Sequence, residues 1–269
     1  MPIDGLVDAV NIPEAIVDRL DLSAVRVIGA RLGGVVMFLR DRDAGPAVLK
    51  TGKGTGGEDI AAEARRLLWI REQLPVPQVL ETGYEGDTAF LLMTYIAGMP
   101  GHEAASTYGI SDTIDRFATA LSRIHAVPTY GCPFVGTIEA EFAAAVHNTR
   151  NGRINIEAFE RDVGERPSVV LNHIERLVGT YSEDTFTHGD YCLPNIVLSP
   201  AVDGVIDWGA CGISNKYRDF MSVELTIRRN FGEKYIPAFY ESYGERNVDA
   251  DKIKFYWLLD RFSNYLLND

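Results

Sequence analysis

The chain has 269 residues, 46% of them apolar, enough to bury a large core and close to the length at which one core divides, so a single domain of two lobes is expected. Its 26 basic and 38 acidic residues give a net charge of −12, with ten basic against fourteen acidic through Ile96 and sixteen against twenty-four beyond it; such a field disfavours nucleic acid and anionic lipid as partners. No apolar run approaches the length of a membrane span, the first fifteen residues carry Asp4, Asp8 and Glu14 without a basic flank, and Cys132, Cys192 and Cys211 show no C-x-x-C spacing, so a reduced cytoplasmic protein without a signal peptide or zinc site is expected.

Three strands open the chain: Val25–Ile28, Val35–Leu39 and Ala47–Lys50, separated by turns containing Gly, Asp and Pro. Gly33-Gly34 lies between the first two, where a loop could lay backbone amides against phosphates, although a plain hairpin turn explains the pair equally well. Gly52-Lys-Gly54-Thr-Gly-Gly57 satisfies the dinucleotide pattern Gly-x-Gly-x-x-Gly, but the chain beyond Leu80 lacks the strand–helix alternation of a doubly wound sheet. A mononucleotide P-loop fails too, because Gly54 follows Lys53 where Ser or Thr is required. Residues 51–57 therefore read as a connector.

From Glu58 to Gln73 the apolar spacing is helical, with Ile60, Glu63, Leu67 and Ile70 on one face. A carboxylate in an apolar stripe requires a partner, because an unpaired buried charge is very costly. Lys50, near the end of the preceding strand, is the natural one, with Arg66 on the next turn as the alternative. Phe90–Ile96 reads as a buried strand running into a joint at Ala97-Gly98, and a helix from Ser111 to Ala126 carries Ile114, Phe117, Leu121 and Ile124 inward with Ser111 as its cap. His125 reads as a core histidine. Further helices are expected at 142–148, 169–178, 221–229, 235–243 and 251–267. The segment 155–165 carries Glu157, Glu160, Asp162 and Glu165; it reads as an acidic loop, either a contact for cationic groups or, with Arg161 and Arg166, an internally paired face.

His188-Gly-Asp-Tyr-Cys-Leu-Pro-Asn195 followed by Ile206-Asp-Trp-Gly209 is the most informative stretch. Phosphoryl transfer needs a carboxylate to orient the attacking hydroxyl and oxygen ligands for the magnesium that neutralises nucleotide phosphates. Asp190, Asn195 five residues on, and Asp207 after a short hairpin of Ile196–Leu198 and Val205–Ile206 supply that set at kinase spacing.

This wording resembles the aminoglycoside phosphotransferase family, above all its 3′-phosphotransferase branch. Leu74–Leu80, Leu91–Thr94 with Ala97-Gly98, Ile124-His125, Tyr217-x-Asp219 and Phe255–Asp260 also resemble family segments in family order. The resemblance implies an α+β, protein-kinase-like fold of two lobes, an N-terminal antiparallel sheet with a helix through residue 96 and a mainly helical lobe over 97–269. It implies Asp190 as the catalytic carboxylate, Asn195 and Asp207 as ligands of Mg²⁺, and Lys50 paired with Glu63 on the phosphates of ATP, or of GTP. Gly33 and Gly34 would line the phosphates, and Thr94 and Ile96 would meet the base through main chain. The acceptor would be a polycationic aminoglycoside held by Asp260, Glu160 and Asp162, and the protein a monomer or homodimer.

Three positions depart from the family pattern: Ala210 stands where Arg often follows Ile-Asp-x-Gly, Arg261 follows Asp260 where a second acid is usual, and Val48 replaces an aromatic expected to stack on adenine. A kinase of a macrolide or metabolite shares the same transfer residues and differs only in the acceptor wall. A catalytically idle nucleotide-binding module would be expected to lack Lys50, Asp190 or Asp207, and a dehydrogenase would use the 52–57 glycines.

Overall fold

Alternating apolar residues in the first part of the chain build an antiparallel sheet, and the computed structural model describes it within residues 12–31 and 34–267. The contacts divide the chain into two compact units, one running through Pro100 and including Ile196–Gly209, the other formed by Gly101–Asn195 and the chain from Ala210.

In the first unit, β1 (Leu20–Arg31), β2 (Gly34–Asp41), β3 (Gly45–Lys53), β4 (Val79–Glu85) and β5 (Thr88–Thr94) lie in the order β1-β2-β3-β5-β4, every neighbouring pair antiparallel. Register aligns Met37 with Leu49 and Leu49 with Leu92, so one face of the sheet is apolar and packs with Ile16 of the short helix α1 (Glu14–Val17). Asp41 ends β2 fully buried; it accepts from the amides of Asp43 and Ala44 and from Arg19 Nε at 2.6 Å, which closes the β2–β3 turn. The opposite face carries Lys50 on the central strand and is covered by α2 (Gly54–Ile70). A second small sheet joins β6 (Met99–Pro100), β8 (Ile196–Leu198) and β9 (Gly204–Val205), with Ile196 opposite Val205.

The second unit is mainly helical: α3 (Gly101–Tyr108), α4 (Ile110–His125), α5 (Ile138–Arg150), α6 (Ile156–Val163), α7 (Pro167–Glu175), α8 (Tyr217–Asn230), α9 (Ile236–Tyr243) and α10 (Ala250–Asn264). Two short strands, β7 (Thr185–Thr187) and β10 (Gly212–Ser214), pair antiparallel. At the centre Phe117 stacks on Tyr191 with ring centroids 4.6 Å apart, and Phe239 packs beside them. No helix among the described residues is long and apolar enough to cross a membrane.

The α+β arrangement, an antiparallel sheet with a helix followed by helices, is the expected one. Three local readings are corrected. Residues 51–57 are no connector: β3 runs to Lys53 and the helix begins at Gly54. The segment 155–165 is not a loop, because Asn155 caps the Ala158 amide, fully buried Phe159 anchors the turn that follows, and Gly164 stops the helix at φ +80°. The cap of α4 is Gly109 rather than Ser111, which lies inside the helix. The helix α3 had no sequence signal strong enough to draw it.

Packing explains Gly52 and Gly57, and a φ of +55° explains Gly54. A Cβ on Gly57 would lie 2.8 Å from the carbonyl oxygen of Gly52, so the first turn of α2 sits directly on the end of β3. Replacing Gly57 with Ala should therefore destabilise the protein by about 1–3 kcal/mol. Denaturant unfolding measures it, and an unchanged midpoint would show that the approach is not constraining.

Candidate active site

Lys50 stands on β3 with Val36 and Leu91 as its cross-strand neighbours. Gly57, Ile60, Glu63, Ala64, Leu67 and Ile70 form the buried face of α2, the stripe read from the sequence, and Glu63 sits within it at 4% exposure. Its partner is Lys50: Nζ donates to Oε1 at 2.9 Å and Oε2 at 2.6 Å. The same ammonium reaches Asp207 Oδ1 at 3.0 Å. Glu63 also accepts from the amide of Trp208, whose fully buried indole donates to the Val205 carbonyl at 2.8 Å. Asp207 is thus fixed between the buried Trp208 anchor and the Lys50 ammonium, and it is the one non-glycine residue among those described with positive φ, +66°. Strained conformers of this kind persist where surrounding structure over-determines them.

Burial alone would lower the Lys50 ammonium, but the charges of Glu63 and Asp207 outweigh it and hold its pKa above the ordinary lysine value. Burial pushes the Glu63 carboxyl up, against the pull of Lys50 and with the added repulsion of Asp207. Lys50 is thus shared by two carboxylates, of which Asp207 is the more open, with its side chain 52% exposed. An exposed carboxylate oxygen is a hard donor of the kind that suits a divalent cation such as magnesium, which binds through one or two carboxylates together with substrate phosphates.

The second unit presents Asp190. Asp219, fully buried in the first turn of α8, accepts from the amides of His188 at 2.8 Å and Gly189 at 2.8 Å and from His125 Nε2 at 3.0 Å. His125 is in turn bonded through Nδ1 to Tyr243 Oη at 2.8 Å, so it is the satisfied core histidine the sequence suggested. Gly189 has φ +84°, and a Cβ there would lie 2.3 Å from the carbonyl oxygen of Ala210. Only glycine allows this turn, which leaves Asp190 exposed between buried His188 and buried Tyr191. Tyr191 Oη donates to the Phe117 carbonyl at 2.7 Å. Asn195 Nδ2 donates to the Asp190 carbonyl at 2.9 Å and lies 3.4 Å from its Oδ2. Its amino group is turned to Asp190 and its amide oxygen to the other side, the atom through which it could hold a cation.

The remaining candidates fare differently. Gly33 lies outside the described residues; Gly34 opens β2 opposite Gly52. The Thr94 amide donates to the Gln78 carbonyl at 2.9 Å, so that donor is already used, and Ile96 is half-buried. Glu160 pairs with Arg166 at 3.5 Å, while Asp162 and Asp260 are brought together by Arg261, at 3.1 and 2.5 Å. Cys132, Cys192 and Cys211 form no disulfide with one another. Sequence reasoning gave no role to Asp219. Asp219 shares the buried face of α8 with Tyr217, Phe220, Met221 and Val223, but Arg218 and Ser222 interrupt the segment, so the sequence carries no apolar stripe like the one around Glu63.

Burial alone would raise the Asp219 carboxyl, but the His125 hydrogen bond, the charges of His125 and His188 and the His188 amide outweigh it and hold it below the usual aspartate range. Asp219→Ala leaves two amides and an imidazole without their acceptor and should cost about 3–5 kcal/mol in denaturant unfolding. Because the folded pKa is the lower one, Asp219 contributes its full stability above the ordinary value of 3.8 and loses it as pH falls from there through the folded value. Acid titration of wild type and variant should therefore converge below that range, and parallel curves would contradict the assignment.

A family model described as "Phosphotransferase enzyme family" matches residues 25–256. An aminoglycoside 3′-phosphotransferase of Streptomyces fradiae is 30% identical over 213 residues, 76% of this chain and 80% of its own. The crystal structure of an aminoglycoside-3′-phosphotransferase of type VIII superposes with a TM-score of 0.77 at 25% identity, covering 97% of this chain and 98% of that one. The aminoglycoside phosphotransferase APH(3″)-Id of Streptomyces rimosus, solved with ADP and streptomycin, superposes with a TM-score of 0.74 at 26% identity, covering 89% and 92%. The matched span contains Lys50, Glu63, Asp190, Asn195, Asp207 and Asp219, and with it this chain belongs to the phosphotransferase enzyme family.

Proposed function

We propose that this protein moves the γ-phosphoryl group of ATP to a hydroxyl of an aminoglycoside, the 3′-hydroxyl, and so inactivates the antibiotic in the cytoplasm. The observation that carries the reading is the pairing of Lys50 with both Glu63 and Asp207, which builds a positioned ammonium and an exposed carboxylate from three different segments of the chain. The relatives named as aminoglycoside 3′-phosphotransferases support the acceptor, and the overall negative charge of −12 suits a polycation.

In this mechanism the residues mainly position and neutralise, because the transition state of phosphoryl transfer is loose and needs little covalent help. Lys50 meets nonbridging phosphate oxygens, held at its angle by Glu63. Asn195 and Asp207 supply hard oxygen ligands suited to Mg²⁺, which when bound neutralises phosphate charge. The acceptor hydroxyl donates to Asp190, its oxygen attacks the γ-phosphorus in line, the bond to the ADP oxygen breaks, and the hydroxyl proton passes to Asp190 late in the transfer. The orientation of Asp190 is set by the clamped His188-Gly189 amides and by Asn195, so the carboxylate is already placed when the acceptor arrives.

A second regiochemistry, transfer to a 3″-hydroxyl, is supported by one observation, the likeness to the Streptomyces rimosus enzyme named APH(3″)-Id. A coupled ADP-release screen over aminoglycosides, macrolides and amino sugars, followed by phosphorus NMR of the product, should give turnover with aminoglycosides and a phosphate at the 3′ position. Turnover confined to macrolides or amino sugars would overturn the reading.

Asp190→Ala should lower kcat/KM by about 10³-fold or more while nucleotide affinity changes little, since the lost group acts on the acceptor proton. Single-turnover kinetics with separate ADP binding measures both; near-normal turnover in the pure variant removes Asp190 from the role.

A further inference from the structure

The acids assigned to the acceptor are already bridged by a cation of this chain. Arg261 Nη1 donates to Asp162 Oδ2 at 3.1 Å and Nη2 to Asp260 Oδ2 at 2.5 Å. Its side chain is 14% exposed against 36% for Asp162 and 32% for Asp260. The guanidinium lies 5.3 Å from the ring centre of Trp257, and its Nε is buried with no hydrogen-bond partner among the described residues. A solvated surface arginine would keep that donor in water. This one has given it up and is fixed by two carboxylates and an indole face, an arrangement suited to the planar fork of arginine.

Two carboxylates with one guanidinium carry a single net negative charge where the acids alone would carry two. The fork also occupies oxygens on which an incoming ammonium would settle. Both contacts to Asp260, from Arg261 and from Asn264 at 2.6 Å, fall on Oδ2, which leaves Oδ1 to accept from a neutral donor.

We propose that Arg261 is a specificity-determining residue that stands in for one ammonium group of the acceptor, so that this enzyme selects acceptors bearing a hydroxyl, not an amine, where they meet Asp162 and Asp260. The inference rests on the reading of those two acids as acceptor-binding. An amine at that point has Arg261 as a like-charged neighbour and one negative charge fewer to attract it; a hydroxyl meets a hydrogen-bond acceptor. The device is a repulsive element built into an attractive wall.

Two acceptor pairs that differ by one amine-for-hydroxyl exchange test it: neomycin against paromomycin, and kanamycin B against kanamycin A. Wild type should prefer the hydroxyl member of at least one pair. In Arg261→Ala and Arg261→Gln the amine-to-hydroxyl ratio of kcat/KM for that pair should rise by about tenfold, through KM with kcat little changed, while Arg261→Lys, which keeps the charge, should hold the wild-type ratio. Isothermal titration without nucleotide should show the same shift in Kd. A wild type that prefers the amine member of both pairs overturns the proposal whatever the variants do, as does an unchanged ratio in both pairs for folded, active variants. A wild type that releases no ADP with any of the four compounds overturns the functional reading together with this one.

Discussion

A carboxylate placed where it cannot remain alone governs the first unit. Glu63 is buried in the apolar stripe of α2, and the cost of an isolated charge there forces a cation into reach. Lys50 answers from the central strand, and because its ammonium is drawn to Glu63 it is also within 3.0 Å of Asp207. The helix, the strand and the turn after β9 are thereby tied at one point. Removing either buried partner would leave the other charged and desolvated, so this contact constrains fold and chemistry together.

The second unit repeats the logic with different parts. Asp219 is buried, its charge is balanced by backbone amides and an imidazole, and what it fixes is the His188-Gly189 turn that presents Asp190. In each unit an exposed aspartate takes its place from a hidden acid beneath it. Asp207 follows a buried strand and precedes buried Trp208; Asp190 lies between buried His188 and buried Tyr191. Preorganisation of this kind matters most where a reaction depends on positioning more than on strong acid or base.

How much of this was legible in the sequence follows from how local each cause is. The Glu63 stripe, the Asp190-to-Asn195 spacing and the hairpin before Asp207 are periodicities of a few residues, and the structure has the elements they imply. Asp219 escaped because its role is to accept amides some thirty residues earlier, which no spacing rule encodes. The glycines of 52–57 misled in the other direction: a pattern associated with phosphate loops is here required by a helix turn pressed against its own strand. The return of Ile196–Gly209 to the first unit is a contact property, and a single cut in the chain cannot express it. The helix α6 was missed because charge dominates its composition, while its buried anchor is the single residue Phe159.

The departures from the family pattern have different physical characters. Ala210 contributes its backbone, whose carbonyl oxygen the Gly189 turn approaches so closely that a Cβ there would lie 2.3 Å away; a long side chain at 210 is not part of that contact. Val48 is buried on the central strand, where a small β-branched side chain packs against its neighbours. Arg261 alone changes the sign of a charge, and it does so beside two acids that then have a partner before any ligand arrives. Val48 leaves the charge of the pattern unchanged and Ala210 lacks the positive charge of the arginine often found there, whereas Arg261 places a cation directly between two acids. On the proposed reading, discrimination among acceptors would reside in how Arg261 offsets the charges of Asp162 and Asp260, and not in the residues that handle the phosphoryl group.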